Sequence, residues 1–270
     1  MSNSTKIQEE LERLFSKNQL IPRMTKEFRD CKSFDFPKYL DDCDIPYKFG
    51  MTLIVQMALH KRTNLQTLIG LLRHTCDDSQ QAADLLERAI THKLVMYDDQ
   101  LEQFIVMFTI SDEVQAELDQ FQYPLPMVVK PMIVEKNTET GYLLNKGSII
   151  LKDNHHDNDV CLDHINRVNR IAFTVNEDTA TMIKNRWRNL DKPKEGESKS
   201  DFKRRCAAFD KYDRTAHAVI NLMVQVGNRF FLTHKYDKRG RVYCQGYHIN
   251  YQGNPWNKAV LELVDKELIA

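Results

Sequence analysis

The sequence has 270 residues, and its 38 Lys plus Arg stand against 38 Asp plus Glu, so the formal net charge is zero. An apolar share of 42% beside a charged share of 28% is an ordinary globular mixture, which excludes a disordered tail, a collagen-like fibre and a low-complexity segment. Nine Gly and eight Pro argue against a turn-rich β-barrel and for a helix-rich protein, and zero net charge, taken alone, argues against a nucleic-acid binder.

The opening residues carry charges every few positions and no apolar block, unlike a signal peptide. Residues 6–16 predict an amphipathic helix with Ile7, Leu11, Leu14 and Phe15 on one face. Residues 20–48 read as irregular, punctuated by Pro22, Pro37 and Pro46. Buried helices are expected at 50–59 and 64–74, on either side of a polar break at 62–64. The first is the most apolar window, yet it falls far short of the ~20 residues a membrane helix needs. Residues 79–93 predict another helix, with Ala82, Leu85, Leu86, Ala89 and Ile90 at three-to-four spacing. Residues 101–110 suit a strand and 112–121 a short helix, which Pro124 and Pro126 bring to an end. An extended stretch at 127–134, a hairpin partner at 140–150 and a polar loop at 151–159 follow.

Two long helices come next. In 160–188, Ile165, Val168, Ile171, Ala172, Val175, Met182, Ile183 and Trp187 recur at helical period. In 199–227, Phe202, Cys206, Phe209, Ala216, Val219, Ile220, Met223 and Val226 do the same. Two helices of ~25 residues joined by a charged loop predict an antiparallel helical hairpin ~35–40 Å long. Extended pieces at 230–234 and 241–249 and a final helix at 255–267, with Pro255 in its first turn, complete the pattern. The expected class is mainly α with small β elements (α+β). The six cysteines, Cys31, Cys43, Cys76, Cys161, Cys206 and Cys244, form no C-x-x-C pair and no zinc spacing, and read as free thiols of a reducing compartment.

Charge is unevenly spread. Residues 181–245 hold 16 Lys or Arg against 7 Asp or Glu, whereas residues 1–180 hold 20 against 28. The basic residues lie late in the first long helix (Lys184, Arg186, Arg188), in the loop (Lys192, Lys194, Lys199) and early in the second helix (Lys203, Arg204, Arg205), and resume at Lys235, Lys238, Arg239 and Arg241. Such a protrusion suits a phosphate backbone, and equally a solvated helix tip.

The run Tyr236-Asp237-Lys238-Arg239-Gly240-Arg241-Val242-Tyr243 resembles the D-x-x-G-R motif, followed by Val-Tyr, of the phage and mitochondrial single-subunit DNA-directed RNA polymerases. Three further stretches are similar to that family, in the family's order. Leu125-Pro126-Met127-Val128-Val129-Lys130-Pro131 resembles the proline-bracketed strand ahead of the thumb. Ile165-Asn166-Arg167-Val168-Asn169-Arg170-Ile171-Ala172-Phe173-Thr174-Val175-Asn176 is similar to the first thumb helix, and Asn250-Tyr251-Gln252-Gly253-Asn254 to the Asn-x-Gln-Gly-Asn stretch after the motif. D-x-x-G-R alone is a weak signal. Four agreements in order with a helical hairpin between them are specific, and they cover the chain from about residue 124 onward.

The resemblance implies a helical N-terminal domain at 1–157, a thumb helical hairpin at 158–228 and the beginning of a palm with the D-x-x-G-R motif at 229–270. It implies contact with template and RNA–DNA hybrid by Asp237, Arg239, Gly240, Arg241 and Tyr243. Arginine forks suit phosphate oxygens, glycine permits a turn or close backbone approach, and an aspartate fixes an arginine's direction. Lys184, Arg186, Arg188, Lys203, Arg204 and Arg205 are expected along the thumb as sequence-independent phosphate contacts. The family's two metal-binding aspartates and its fingers helix have no counterpart here. The expectation is therefore the small subunit of a two-chain phage polymerase, with no catalytic or metal-binding residue of its own. A larger partner subunit would carry fingers, remaining palm and the Mg2+ of two-metal phosphoryl transfer. DNA template, RNA transcript and a recruiting single-stranded-DNA-binding factor complete the implied partners. No membrane is involved, and the setting is the cytoplasm of an infected bacterial host.

Two other readings stand beside this one. A winged-helix DNA-binding transcription regulator over 50–110 would use 63–75 and 79–93 as helix-turn-helix and 97–110 as wing, against which stand Asp77, Asp78, Asp84, Glu87, Asp98 and Asp99. A metal-dependent hydrolase would use Asp153, His155, His156, Asp157, Asp159, Cys161, Asp163 and His164. Their spacing fits no zinc motif, and a polar loop with Asp157 or Asp159 capping the next helix is simpler. Phe173 and Trp187 read as core or hairpin contacts rather than stacking platforms.

Overall fold

A computed structural model describes residues 2–15, 17–108, 110–151, 160–186 and 188–266. The described residues are mainly helical with short strands, the class expected from the sequence. No helix among them is long and apolar enough to cross a membrane. The chain divides into two compact units, Lys17–Leu118 and a second made of Met1–Ser16 with Asp119–Ala270. Helix α1 (Asn3–Phe15) belongs to the second.

The unit Lys17–Leu118 begins with α2 (Lys17–Arg29) and α3 (Phe36–Asp42), where the sequence alone predicts irregular chain. The prolines account for the difference. Pro37 stands in the first turn of α3, where its fixed φ suits a helix start, and the Asp35 carboxylate accepts from Lys38 N at 3.0 Å. Pro22 is carried inside α2, whose Leu20, Met24 and Phe28, four apart, are all buried. Pro46 is the N-cap of α4 (Tyr47–His60). Helix α4 is apolar nearly all round, with Leu53, Ile54, Val55 and Met57 fully buried, and forms the middle of this unit's core. Strand β1 (Arg62–Thr63), α5 (Leu65–Leu72), α6 (Ser79–Thr91), β2 (Val95–Asp98) and β3 (Gln103–Val106) follow. Asn64 and Asp78 cap α5 and α6, each accepting at 2.8 Å from the N–H three residues on. The strands pair antiparallel in the order β1-β3-β2, with Val95 opposite Val106 and Asp98 opposite Gln103. Helix α7 (Asp112–Phe121), predicted at these residues, leads out of the unit.

In the second unit, α1 buries Leu11 and Phe15, and its Glu12 is fully buried too. The Glu12 carboxylate accepts the backbone N–H of Leu143 (2.8 Å), Leu144 (2.6 Å) and Asn145 (3.0 Å), and Gln8 Nε2 at 2.9 Å. Gln8 in turn accepts Val128 N at 2.7 Å. One face of α1 thus pairs backbone N–H groups of two irregular, part-buried segments, at Val128 and at 143–145. The hairpin predicted between 127–134 and 140–150 does not form as paired strands: Met132 N–H donates to Gly141 O at 2.8 Å, while Met127 and Ile150 bridge instead to Phe231 and Tyr236.

The largest departure concerns residues 160–188. Instead of one long helix they form α8 (Leu162–Asn169), β4 (Ala172–Val175) and α9 (Glu177–Met182). Val168, Ala172 and Val175 fit a helical period, but Ala172, Phe173 and Val175 are buried as a central strand between β5 (Phe230–Phe231) and β8 (Leu261–Leu263), in the order β5-β4-β8. Pairing on both edges, with an aromatic and two β-branched residues in the run, outweighs the helical alternative. Asn176 then starts a new helix by accepting from Thr179 N at 2.8 Å. The expected helical hairpin therefore keeps one long limb, α10 (Lys199–Gln225), 27 residues and about 40 Å long. Its buried residues, Thr215, Ala216, Val219, Ile220 and Met223, all lie in its C-terminal half. The final predicted helix is shortened to α11 (Pro255–Ala259), because Leu261 to Leu263 pair with β4. Strands β6 (His234–Tyr236) and β7 (Val242–Cys244) form a separate antiparallel pair with Tyr236 opposite Val242.

Candidate nucleic-acid interface

The turn between β6 and β7 is built around one carboxylate. Asp237 Oδ1 accepts the backbone N–H of Arg239 and of Arg241, each at 2.9 Å. Asp237 N–H donates to Arg241 O at 2.8 Å, and Gly240 N–H to Asp237 O at 3.0 Å. Gly240 has φ +79°, in the left-handed region where a glycine carries no steric penalty. The second oxygen, Oδ2, receives Arg241 Nε at 2.7 Å and lies 3.5 Å from Arg239 Nη2 and 3.4 Å from the Tyr243 hydroxyl. The Arg241 guanidinium also stands over the Tyr243 ring, 5.5 Å from its centre.

The Asp237 side chain is 15% exposed, whereas those of Arg239 and Arg241 are 72% and 53% exposed. Burial alone would raise the carboxyl pKa. The Arg241 backbone N–H, its guanidinium and the Tyr243 hydroxyl outweigh that and hold Asp237 below its ordinary range. An inward carboxylate thus orients two outward guanidiniums beside a phenol, a fixed set of donors suited to phosphate oxygens. The five residues singled out in the sequence are brought together.

The basic residues expected along the thumb are less alike. Lys184 is exposed, on a segment held by Trp256 Nε1 to Ile183 O (2.8 Å) and Asn185 Nδ2 to Asp213 Oδ1 (2.9 Å). Arg186 is exposed and pairs with Asp191 at 2.5 Å. Trp187 and the Arg188 side chain lie outside the described residues. Lys203 and Arg204 are exposed near the start of α10, and Arg204 pairs with Asp201. Arg205 has a different role from the phosphate contact expected of it. Its side chain is only 17% exposed, and its fork holds Glu197 at 2.8 and 2.7 Å together with the carbonyls of Asn189 and Lys192. That hydrogen bonding, with the Lys194 backbone N–H, lowers the Glu197 pKa to about 2. Arg205 ties the loop to α10.

Asp153, His155, His156, Asp157 and Asp159 lie outside the described residues, and Cys161 occupies the N-cap position of α8. Among the described residues no group of three or more His, Cys, Asp or Glu could hold a metal ion. Phe173 is buried on β4 against Tyr251, rings parallel at 5.7 Å. The helix-turn-helix and wing of the regulator reading have a counterpart in α5, α6 and the β2–β3 hairpin. The exposed face of α6 carries Gln80, Gln81, Asp84, Glu87 and Arg88, and the wing turn Asp99 and Glu102, a charge opposed to duplex DNA. Sequence reasoning passed over the rings of Tyr123, Tyr212, Tyr247 and His248, which gather beside α10. The signal available was the density of rings at Tyr243, Tyr247, His248 and Tyr251 just after the motif.

No protein-family model matches the chain. The chain is 25% identical over 154 residues to a protein described as a probable DNA-directed RNA polymerase from Gelasinospora sp. (strain G114), covering 52% of the chain and 17% of that relative. It is 25% identical over 231 residues to a protein of the same description from Agaricus bitorquis, covering 75% of the chain and 20% of the relative. The chain spans about a fifth of the length of these curated relatives. Both of these relatives carry the description of a probable DNA-directed RNA polymerase.

Proposed function

We propose that the chain is the template- and hybrid-holding part of a DNA-directed RNA polymerase, the small subunit of a two-chain bacteriophage enzyme acting in the cytoplasm of the infected bacterium. The observation that carries this reading is the 237–241 turn, where a D-x-x-G-R sequence folds so that Asp237 holds Arg239 and Arg241 outward beside Tyr243, in a chain whose relatives are described as probable RNA polymerases. Arg239 and Arg241 grip phosphates of the template and hybrid, Gly240 and Asp237 fix their spacing, and Tyr243 backs the Arg241 guanidinium. Lys184, Arg186, Arg188, Lys203 and Arg204 add sequence-independent contacts. A larger subunit supplies fingers, remaining palm and the carboxylates for Mg2+, and a single-stranded-DNA-binding factor delivers the template.

The test is the salt dependence of binding to an RNA–DNA hybrid. Arg239→Gln and Arg241→Gln are each expected to weaken binding evenly across sequences and to reduce the slope of log K against log salt by about one. Wild-type slopes in both variants contradict the role.

A further inference from the structure

The turn after β7 is tightly constrained. A Cβ on Gly246 would lie 1.9 Å from Ile249 O, and Asn250 Nδ2 holds Gly246 O at 2.6 Å. Gln245 N–H is fixed to Thr233 O at 2.9 Å. This geometry places Tyr247 at the surface, 45% exposed, and His248 inside, 6% exposed. Neither ring nitrogen of His248 makes a hydrogen bond of good geometry, while the Asp119 backbone and carboxylate, on the same cavity, lie close enough to favour its protonation. The imidazole lines a cavity of about 210 Å³ with Gln122, Tyr123, Lys211, Tyr212 and Tyr247. Tyr123 stacks on Tyr247 at 4.0 Å and 20°, and Tyr212 meets Tyr247 edge-on at 5.5 Å and 89°. Lys211, paired with Asp119 at 2.7 Å, stands at the same cavity with nearly half its side chain exposed.

We propose that this ring-lined cavity takes one unstacked nucleobase of a single strand, stacked on the tyrosines and hydrogen-bonded to His248. An imidazole buried without partners is costly unless a guest completes it. Burial outweighs the Asp119 backbone and charge and lowers the His248 pKa to about 4, so at neutral pH the ring is uncharged and offers one donor and one acceptor, the groups a base edge answers. A phenylalanine ring would stack as well but leave the imidazole unpaired. Lys211 suits the phosphate attached to such a base. This pocket rests on the chain's proposed role in holding nucleic acid, and it adds a base contact to a set made of phosphate contacts.

The test uses the full chain with a 12-residue oligo(dT) and an abasic backbone of the same length, and oligo(U) alongside to show whether DNA or RNA supplies the base. Base stacking predicts binding of a base-bearing strand at least about fivefold tighter than of the abasic one. Tyr247→Ala, at the surface, and His248→Leu, which fills the buried site, are each expected to erase that preference and leave abasic binding unchanged. Arg241→Gln is expected to weaken both alike. A base preference with either DNA or RNA, lost in Tyr247→Ala, supports the pocket. Equal binding of abasic and base-bearing strands that still depends on Arg239 and Arg241 overturns the pocket and leaves the proposed function standing. Binding of no strand overturns both.

Discussion

At the β6–β7 turn a single carboxylate decides where two arginines point, and a comparable economy governs the buried histidines. His234 Nδ1 lies 2.8 Å from Asn169 Oδ1 and its Nε2 2.9 Å from the Tyr251 hydroxyl, so one neutral tautomer donates to the first and accepts from the second. Burial, with His164 nearby, lowers its pKa to about 4, and burial lowers that of His248 to about 4 as well. In the unfolded chain both titrate near 6.5. Between pH 6.5 and 4 the unfolded chain therefore binds more protons, so stability is full above 6.5 and falls as pH drops toward 4, by up to roughly 3 kcal/mol per histidine. Urea midpoints are expected to fall over that window and to fall less in His234→Gln. A midpoint independent of pH between 7 and 4.5 contradicts this. The turn itself was legible in the sequence because its contacts run between residues at most six apart. The Tyr123 and His248 pocket was not, because its walls come from segments more than a hundred residues apart.

Among the elements, α10 shows why the basic stretch is not one uniform surface. Its anchored C-terminal half carries the buried residues, and its N-terminal half meets the 189–197 loop through Arg205 and Glu197. Arg205→Met is expected to expose that loop, raising thermolysin cleavage within it several-fold while leaving the salt slope of hybrid binding unchanged. Slow cleavage combined with a reduced slope would return Arg205 to the phosphate contacts. Helices α1, α4, α5, α6, α7 and α10 were legible from apolar period, aided at several starts by capping residues. Strand β4 was hidden because four residues are too few to separate a strand from one helical turn. Helix α3 was hidden because Pro37, read as a break, starts it.

For the molecule as a whole, zero net charge conceals an acidic unit and a basic stretch. The unit Lys17–Leu118 holds 12 Lys or Arg against 16 Asp or Glu, while residues 181–245 hold 16 against 7. The first residues of the chain are also bound into the unit that carries the motif. Glu12 spans from α1 to backbone N–H groups at 143–145, and Glu12→Gln turns one acceptor into a donor facing them. That variant is expected to lose about 1–3 kcal/mol of stability in urea denaturation, and a loss under about 0.5 kcal/mol contradicts the clamp. The most direct test of the central claim is RNA synthesis on single-stranded DNA by the purified chain mixed with a larger chain carrying fingers and the two-metal palm. Transcripts are expected only from the mixture, and at least about tenfold fewer when Arg239 and Arg241 are both replaced by Gln. RNA made by the chain alone, or made equally well by the larger chain without it, would contradict the account.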